Sequence, residues 1–278
     1  MNFHIKSIEK LIDLSIKEDI AQGDITTNNI IPENSTAIAQ IVSKTYGVIA
    51  GMPLAEIIFK KLDKNISFKQ LFADGENVEP KNVLAEISGS YRAILSGERL
   101  ALNFLQRMSG IATETQKYVK AIENYKTKIL DTRKTIPGFR ILDKYAVKTG
   151  GGTNHRFGLY DMVMIKDNHI KVAGSITNAV KQIKKNIKQN IKIEVETTNL
   201  EEVKEALNAN ADIIMLDNMS IDIMKQAVKI INHKSLSEAS GNMSLDKVKE
   251  VAATGVDFIS VGALTHSVKA MDISLNIK

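Results

Sequence analysis

The chain has 278 residues, contains no cysteine and carries a formal net charge of +5. That length allows one large α/β domain or a barrel with a smaller companion domain, and the lack of cysteine excludes disulfides, thiolate zinc sites and a cysteine nucleophile. No apolar run of about 18 residues predicts a membrane-spanning helix and no secretory signal is visible at the N-terminus, so we expect a cytoplasmic protein with no membrane partner.

The positive charge suits anionic partners such as nucleic acid or phosphorylated metabolites. The densest basic segment is KQIKKNIKQNIK (181–192), in which Ile183 and Ile187 fall on one helix face and the lysines on the other. This pattern is typical of a solvated helix exterior. No aromatic side chains interrupt it, as a base-stacking surface would require. We therefore predict no nucleic-acid partner.

The N-terminal part of the chain mixes helix-like and strand-like patterns, with a turn signal at Asp74-Gly75. Helical spacing occurs at 8–20, 53–62 and 97–125, and short strand-like runs occur within 36–51 and 66–95. We predict a smaller α+β domain over residues 1–109. The last segment, 268–278, is a candidate to return to it.

A regular alternation of strand and helix patterns fills the rest of the chain. Strand-like runs lie at 127–134, 161–168, 191–197, 212–218, 234–241 and 258–263. Such alternation implies right-handed crossovers and a parallel sheet. We predict an α/β barrel, open or closed, over residues 110–267. An open doubly wound sheet is the alternative, but no dinucleotide-binding or P-loop fingerprint supports it.

Cations gather where two of these strands end. Arg133 and Lys134 follow an apolar run, and Lys166 ends the run MVMIK, with His155 and Arg156 shortly before it. Each cation alone fits a structural ion pair or an outward-pointing side chain. Together, at the strand ends where barrel enzymes place their chemistry, they predict a site for a polyanion. Lys166 rises from an otherwise apolar wall, so it must meet a carboxylate or an anionic ligand.

Acidic residues and glycine loops follow the next strands. Glu196 and Asp217 end two of them, and their carboxylates suit a divalent metal or sugar hydroxyls. The last two strands close on SGN (240–242) and VGA (261–263), each before a helical segment. Barrel enzymes bind phosphate with the backbone N–H groups of such loops, although ordinary strand-to-helix turns have the same spacing.

The motifs around these residues resemble those of quinolinate phosphoribosyltransferases. The resemblance covers nearly the whole chain and is carried by EDIAQGDITT (18–27), GERLALNFLQRMSGIAT (97–113), DTRKTIPGFRILDKYAVKTGGGTNHRFGLYDMVMIKDNH (131–169), EVET, MLDN, EASGN and GVDFISVGALTHS. It implies an open, TIM-like, phosphate-binding α/β barrel with an N-terminal α/β sandwich domain. It also implies an enzyme of NAD biosynthesis, a pentosyltransferase that uses Mg²⁺. That enzyme converts quinolinate and phosphoribosyl pyrophosphate into nicotinate mononucleotide, pyrophosphate and CO₂.

The resemblance also implies roles for individual residues. Those expected to hold quinolinate are Arg99, Thr132, Arg133, His155, Arg156 and Lys166. Those expected to bind phosphoribosyl pyrophosphate are Lys134, Lys166, Glu196, Asp217, Ser240, Gly241, Asn242, Gly262 and Ala263. Lys134, Glu196 and Asp217 would be catalytic, and the two acids would hold Mg²⁺ through water. Arg99 would enter from the neighbouring subunit of a homodimer or a hexamer.

A paralogous protein of the same fold that acts on another acceptor, such as the molybdenum-transport-associated relatives, is the nearest alternative. The presence of all the cations expected to bind a dicarboxylate argues against it. The other common phosphoribosyltransferase fold would need adjacent acids after an apolar strand, and MLDN has only one. A DNA-binding function would rest on net charge alone.

Overall fold

The computed structural model describes residues 5–187 and 191–278. The elements in chain order are α1 (Ile5–Asp19), α2 (Ile25–Ile30), β1 (Thr36–Ser43), β2 (Gly47–Val48), α3 (Met52–Leu62), β3 (Ser67–Gln70), β4 (Asn77–Val78), β5 (Val83–Ser90), α4 (Tyr91–Ala121), β6 (Lys128–Leu130), α5 (Arg140–Thr149), β7 (Val163–Ile165), α6 (Asp167–Ala173), α7 (Ile176–Asn186), β8 (Ile193–Thr197), α8 (Leu200–Asn208), β9 (Ile213–Asp217), α9 (Ile221–Ile231), β10 (Leu236–Ser240), α10 (Leu245–Ala252), β11 (Phe258–Ser260), α11 (Ala263–His266) and β12 (Ile273–Ile277). Within these ranges, no helix is both long enough and apolar enough to cross a bilayer.

Two compact units divide the chain. The first comprises residues up to Glu114, Pro137–Gly151 and Val268–Lys278, and the second comprises Thr115–Ile136 and Gly152–Ser267. The segment that carries α5 therefore packs with the first unit, although it lies in sequence between two strands of the second.

The first unit is built on a four-stranded antiparallel sheet in the order β12-β1-β5-β3. β1 pairs with β5 on one side and with β12 on the other, so the C-terminal strand forms a sheet edge. Asp74 joins two of the surrounding segments to its own loop. Its carboxylate accepts the N–H groups of Gly51 and Met52 at the start of α3 (2.8 and 3.0 Å) and the hydroxyl of Tyr145 in α5 (2.7 Å).

The second unit is built on six parallel strands in the order β6-β11-β10-β9-β8-β7. Apolar side chains of the strands are fully buried in it, among them Val195, Ile214, Leu216, Ala239 and Ile259. The helices cover the sheet with apolar faces at three- and four-residue spacing, as in α9, where Met224, Ala227 and Ile231 are buried.

The strand order decides between the two predicted architectures. From β7 to β11 each strand lies beside the next in sequence, and β6 closes the series next to β11. The order never reverses, so there is no topological switch point of the doubly wound kind. Among the described residues no pairing joins β6 to β7. The open α/β barrel predicted from the sequence is confirmed.

Two helices differ from the prediction. The long helical region expected over 97–125 begins earlier, at Tyr91, and ends at Ala121. It begins there because Ser90 ends β5 and its hydroxyl accepts the N–H of Ala93 (3.3 Å), which satisfies one of the free donors of a helix start. Helix α5 was not predicted. An ion pair of its buried Asp143 with Arg107 on α4 (2.9 Å) holds it, and tertiary contacts of this kind leave little trace in a local pattern.

The basic segment 181–192 falls partly in α7, where its lysines are exposed as predicted. Residues 188–190 of that segment lie outside the described part of the chain.

Candidate active site

The carboxyl edge of the parallel sheet carries two layers of side chains, because alternate residues of a strand face the same side. The upper layer contains Lys166, Glu196, Asp217, Ser240 and Gly262, and the lower layer, two positions earlier in each strand, contains Met164, Glu194, Met215, Glu238 and Ser260. Between β9 and β10 the register pairs Asp217 with Ser240, whereas between β8 and β9 it pairs Glu196 with Met215, so the layers are staggered from strand to strand. The upper layer, which we call the rim, is therefore mostly polar, and the lower layer beneath it contains two acids.

A cavity of about 760 Å³ opens at this edge. Such a volume is typical of sites for small-molecule ligands. The predicted site residues that line it are Thr132, Arg133, Lys134, His155, Arg156, Lys166, Glu196, Asp217, Ser240, Gly241, Asn242, Gly262 and Ala263. The structure therefore brings all the predicted barrel residues into one cavity, and their individual roles stay predictions. Arg99 is different, because it lies exposed on α4 in the first unit.

Lys134 extends next to Gly262. A Cβ atom on Gly262 would lie 3.1 Å from the Cδ atom of Lys134, so the glycine leaves room for the lysine side chain. The hydroxyl of Thr265 donates to the carbonyl of Lys134 (2.9 Å), and the backbone N–H of Lys134 donates to the hydroxyl of Thr132 (3.1 Å). The backbone after β6 is thereby fixed, while the ammonium group stays exposed to an incoming ligand.

Arg156 is half-buried at the cavity wall. Its Nη1 donates to the carbonyl of Met162 (3.1 Å). Burial lowers the pKa of Arg156, and the nearby charge of Arg133 lowers it further. Two guanidinium groups that repel one another favour an anionic ligand. The negative charge of such a ligand would offset both the desolvation of Arg156 and the repulsion between the two cations.

Lys166 meets a carboxylate, as predicted from its apolar surroundings. Its Nζ donates to Glu196 across the ends of β7 and β8. The side chain of Lys166 is 43% exposed and that of Glu196 is 16% exposed, so an incoming ligand can approach the pair. An exposed ion pair of this kind contributes little to stability and can be replaced by contacts with a charged ligand.

A network of amide side chains surrounds the loop after β10. Asn218 donates to the carboxylate of Asp217 (2.9 Å) and accepts from the side chain of Asn242 (3.2 Å). Gly241 lies against this network, with a φ of +94°, and a Cβ atom there would be 2.2 Å from the Oδ1 atom of Asn218. Only glycine fits this position. It allows the backbone of the loop to approach a ligand closely.

Beneath the rim, His155 lies between two fully buried acids. Its Nε2 atom is 3.2 Å from Oε2 of Glu194 and 3.3 Å from Oε2 of Glu238, and the hydroxyl of Ser260 donates to the other oxygen of Glu238. Burial lowers the pKa of His155, but the attraction of both carboxylates outweighs this and raises the pKa to about 10. Burial also raises the pKa of Glu194 to about 7 against the opposing effect of His155.

Two groups of residues have the donors that metal ions use. Glu196 and Asp217 offer carboxylate oxygens in the cavity, which are the ligands that Mg²⁺ prefers. His155, Glu194 and Glu238 offer one nitrogen and two oxygens within 4.8 Å of one another. In the second group the His155 ring lies at ion-pair distance from both carboxylates.

Three residues of the site are absent from the sequence predictions: Glu194 and Glu238 of the lower layer, and Asn218 of the asparagine network. Glu194 and Glu238 each stand two positions before a predicted site residue of the same strand, so strand alternation alone could have identified them. Asn218 directly follows Asp217 in MLDN, with a φ of +53° that is typical of asparagine. His266 and Met243, which also line the cavity, carry no comparable signal.

The fold and the cavity define a class of α/β-barrel enzyme. Its site combines cations and carboxylates with glycine loops whose backbone can lie close to a ligand. Family models of quinolinate phosphoribosyl transferase match most of the chain, the N-terminal domain over residues 24–109 and the C-terminal domain over 111–276. The chain belongs to the quinolinate phosphoribosyltransferase family. The resemblance predicted from its motifs is confirmed.

Individual relatives agree with this assignment. A probable nicotinate-nucleotide pyrophosphorylase (carboxylating) of Synechocystis is 47% identical over 265 residues, which cover 94% of this chain and 90% of the relative. A protein of the same description from Bacillus subtilis is 44% identical over 97% of this chain and 93% of the relative. The structure of nicotinate-nucleotide pyrophosphorylase from Francisella tularensis superposes with a TM-score of 0.96 at 45% identity and covers 100% of this chain and 98% of that chain.

Proposed function

We propose that this chain is a carboxylating nicotinate-nucleotide pyrophosphorylase, the phosphoribosyltransferase of NAD biosynthesis that acts on quinolinate. It transfers the phosphoribosyl group of phosphoribosyl pyrophosphate to quinolinate, with release of pyrophosphate and CO₂. The observation that carries the proposal is the single cavity in which cations lie together with two carboxylates and the close loops after β10 and β11. The names of its relatives support the same reaction.

The dicarboxylate end of the site is assigned to the cations. We assign Arg133, Arg156 and Lys166 to the two carboxylates of quinolinate, with the hydroxyl of Thr132 beside them. Each charge-assisted hydrogen bond contributes about 1.5–3 kcal/mol. Nicotinate has one carboxylate fewer and would leave some of these cations without a counter-charge, so the site discriminates against it.

The phosphoribosyl end is assigned to the acids and the glycine loops. Glu196 and Asp217 would bind the ribose hydroxyls. The 5′-phosphate would be bound by Ser240, Gly241, Asn242, Gly262 and Ala263. The fixed backbone of Lys134 and its exposed ammonium suit a position between the two substrates, next to the leaving pyrophosphate.

Glu196 and Asp217 also fit Mg²⁺, because they are hard oxygen donors in the same cavity. They would hold it through water molecules. When bound, Mg²⁺ supplies positive charge that stabilises a leaving pyrophosphate.

The chemistry of transfer follows from the charges of this chain. The pyridine nitrogen of quinolinate displaces pyrophosphate at the anomeric carbon of the ribose. The carboxylates of Glu196 and Asp217 stabilise the oxocarbenium-like character of that carbon. Lys134 neutralises the charge that develops on the leaving group. Transfer makes the ring nitrogen positive, so loss of the adjacent carboxylate as CO₂ leaves a carbanion that this positive charge stabilises. Uptake of a proton from solvent at that carbon then gives nicotinate mononucleotide.

Glu196 changes partner in this scheme. Without ligand it accepts from Lys166. When a quinolinate carboxylate takes over Lys166, Glu196 becomes available for the ribose. Binding of either substrate should therefore favour binding of the other.

We further propose a homodimer, or a hexamer, in which the exposed Arg99 reaches the site of the neighbouring subunit. A cytoplasmic location is also proposed. Plant relatives are described as chloroplastic, so location varies within the family.

Product analysis tests the reaction. The purified protein is incubated with quinolinate, phosphoribosyl pyrophosphate and Mg²⁺, and nicotinate replaces quinolinate in a parallel reaction. Nicotinate mononucleotide should form from quinolinate alone. Formation of the same product from nicotinate at a similar rate would contradict the proposed specificity.

A further inference from the structure

The strongest feature outside the assigned roles is the buried cluster of His155, Glu194 and Glu238. Both carboxylates are fully buried, and the side chain of His155 is 6% exposed. Burial of two acids side by side is costly, and apolar residues of similar volume would give a more stable core. The cluster therefore points to a function other than stability.

Neither ring nitrogen of His155 points freely into the cavity. Nε2 faces the two carboxylates, and Nδ1 lies 2.7 Å from the backbone nitrogen of Arg156. The backbone N–H of His155 donates to the fully buried Asp131 (2.8 Å). This geometry changes the role expected for His155, because its ring is occupied by the protein and not directed at a ligand.

The cluster is directly adjacent in sequence to one of the cations of the site. His155 directly precedes Arg156, so the ion-pair contacts that fix the ring of His155 also fix the backbone from which the Arg156 guanidinium enters the cavity. The charge of Glu194 also acts on that guanidinium and opposes the effects of burial and of Arg133. The two acids therefore act on Arg156 by position, and Glu194 also acts on it by charge.

We propose that Glu194 and Glu238 are positioning residues that act through His155 to fix Arg156 for the carboxylates of the substrate. His155 is then a positioning residue as well, and not a direct ligand of quinolinate. This inference rests on the proposed function.

The test compares Glu238→Gln, His155→Phe and the double variant by steady-state kinetics and by calorimetric binding of quinolinate alone. Glu238→Gln keeps the shape of the side chain and removes its charge. We expect each single variant to raise KM and Kd for quinolinate about tenfold or more, and to change KM for phosphoribosyl pyrophosphate less than about twofold. Because the acid acts through the histidine, the double variant should be no weaker than His155→Phe.

Asp257→Asn is the matched control. Asp257 accepts from the backbone N–H and the hydroxyl of Ser237 on the same strand as Glu238 (2.8 and 2.7 Å). The Asp257→Asn variant should lower the free energy of unfolding and leave KM for quinolinate unchanged. If Glu238→Gln does not fold, Glu194→Gln replaces it in the same cycle.

Several results would overturn the inference. Equal rises in both KM values, or additive effects in the double variant, would indicate a general structural role. A stoichiometric bound metal whose removal by a chelator has the same effect as the substitutions would show that the cluster is a metal site. If wild type binds quinolinate and the variants bind it equally well, this inference alone fails. If wild type neither binds nor converts quinolinate, the proposed function fails with it.

Discussion

Gly241 shows how one residue determines the backbone conformation of the loop after β10. Any other residue would adopt a φ near +94° at a cost of about 1–2 kcal/mol, and its Cβ would also collide with Asn218 at 2.2 Å. We predict that Gly241→Ala raises KM for phosphoribosyl pyrophosphate about tenfold or more, measured by initial rates, because the loop must move away from the phosphate.

Gly174→Ala is the control for this change. Gly174 also has a positive φ (+85°), but the nearest atom to its added Cβ is 3.9 Å away. The variant should lose about 1 kcal/mol of stability with unchanged kinetics. If Gly241→Ala and Gly174→Ala raised KM for phosphoribosyl pyrophosphate equally, backbone strain alone would explain the rise. The close approach of the Gly241 loop to the ligand would then have no part in it.

The charge of His155 predicts a pH dependence of stability. Its pKa is raised to about 10 by Glu194 and Glu238, and it lies near Asp131 and Arg156. A raised pKa means that the folded state binds the proton more tightly. The stabilisation is then fully present below about pH 6.5 and is lost as pH rises towards 10.

Urea unfolding at pH 7 and at pH 9.5 measures this effect. Wild type should lose more free energy of unfolding over this interval than His155→Gln, by at most about 1.4 kcal/mol per pH unit for one proton. Parallel losses in the two proteins would contradict the assigned charge.

At the scale of elements, the alternation of strands and helices was sufficient to predict the barrel. The six strands lie within the predicted runs because Val, Ile and Leu side chains at these positions are buried on both faces of the sheet. The strand ends, with their cations, acids and glycine loops, followed from the same pattern, and the roles of the individual residues came from the family resemblance. The domain ranges 1–109 and 110–267 stay predictions.

The missed elements depend on contacts between distant segments. Helix α5 is held by the ion pair between Arg107 and Asp143 and by the hydrogen bond from Tyr145 to Asp74, none of which a local window contains. The buried acids Glu194 and Glu238 were missed for another reason. Charged residues are rarely fully buried, so their strand positions did not mark them as part of a site.

Helix α8 provides a prediction at this scale. The side chain of Asn199 accepts from the backbone N–H groups of Glu201 and Glu202 (3.0 and 2.9 Å) at the start of the helix. Asn199→Ala should lower the free energy of unfolding by about 1 kcal/mol. Asn199→Asp retains the acceptor and should unfold at the wild-type urea midpoint or above it. A midpoint for Asn199→Ala equal to that of wild type would show that the cap contributes nothing.

At the scale of the whole molecule, the shared site predicts complementation between subunits. Arg99→Ala and Lys134→Ala should each reduce activity by a factor of about 10² or more, because each removes a charge that faces a polyanion. If Arg99 belongs to the site of its neighbour, hybrid dimers of the two inactive variants contain one intact site. Mixing with subunit exchange should then restore up to about a quarter of wild-type activity, since half of the dimers are hybrids with one site in two.

Two controls are needed for that experiment. Subunit exchange is verified with differently tagged chains, and each variant is also mixed with itself. Verified exchange without any recovery of activity would refute the cross-subunit position of Arg99 and leave the assignment of the barrel residues intact.

The most direct measurement for the central claim is release of CO₂ from quinolinate labelled at its 2-carboxylate, with and without phosphoribosyl pyrophosphate, in the presence of Mg²⁺. We predict release that depends strictly on phosphoribosyl pyrophosphate and matches the pyrophosphate formed one to one. Folded protein that releases no CO₂ under these conditions would contradict the proposed function. The cations of the cavity would then serve another anionic acceptor, as in the paralogous proteins of this fold.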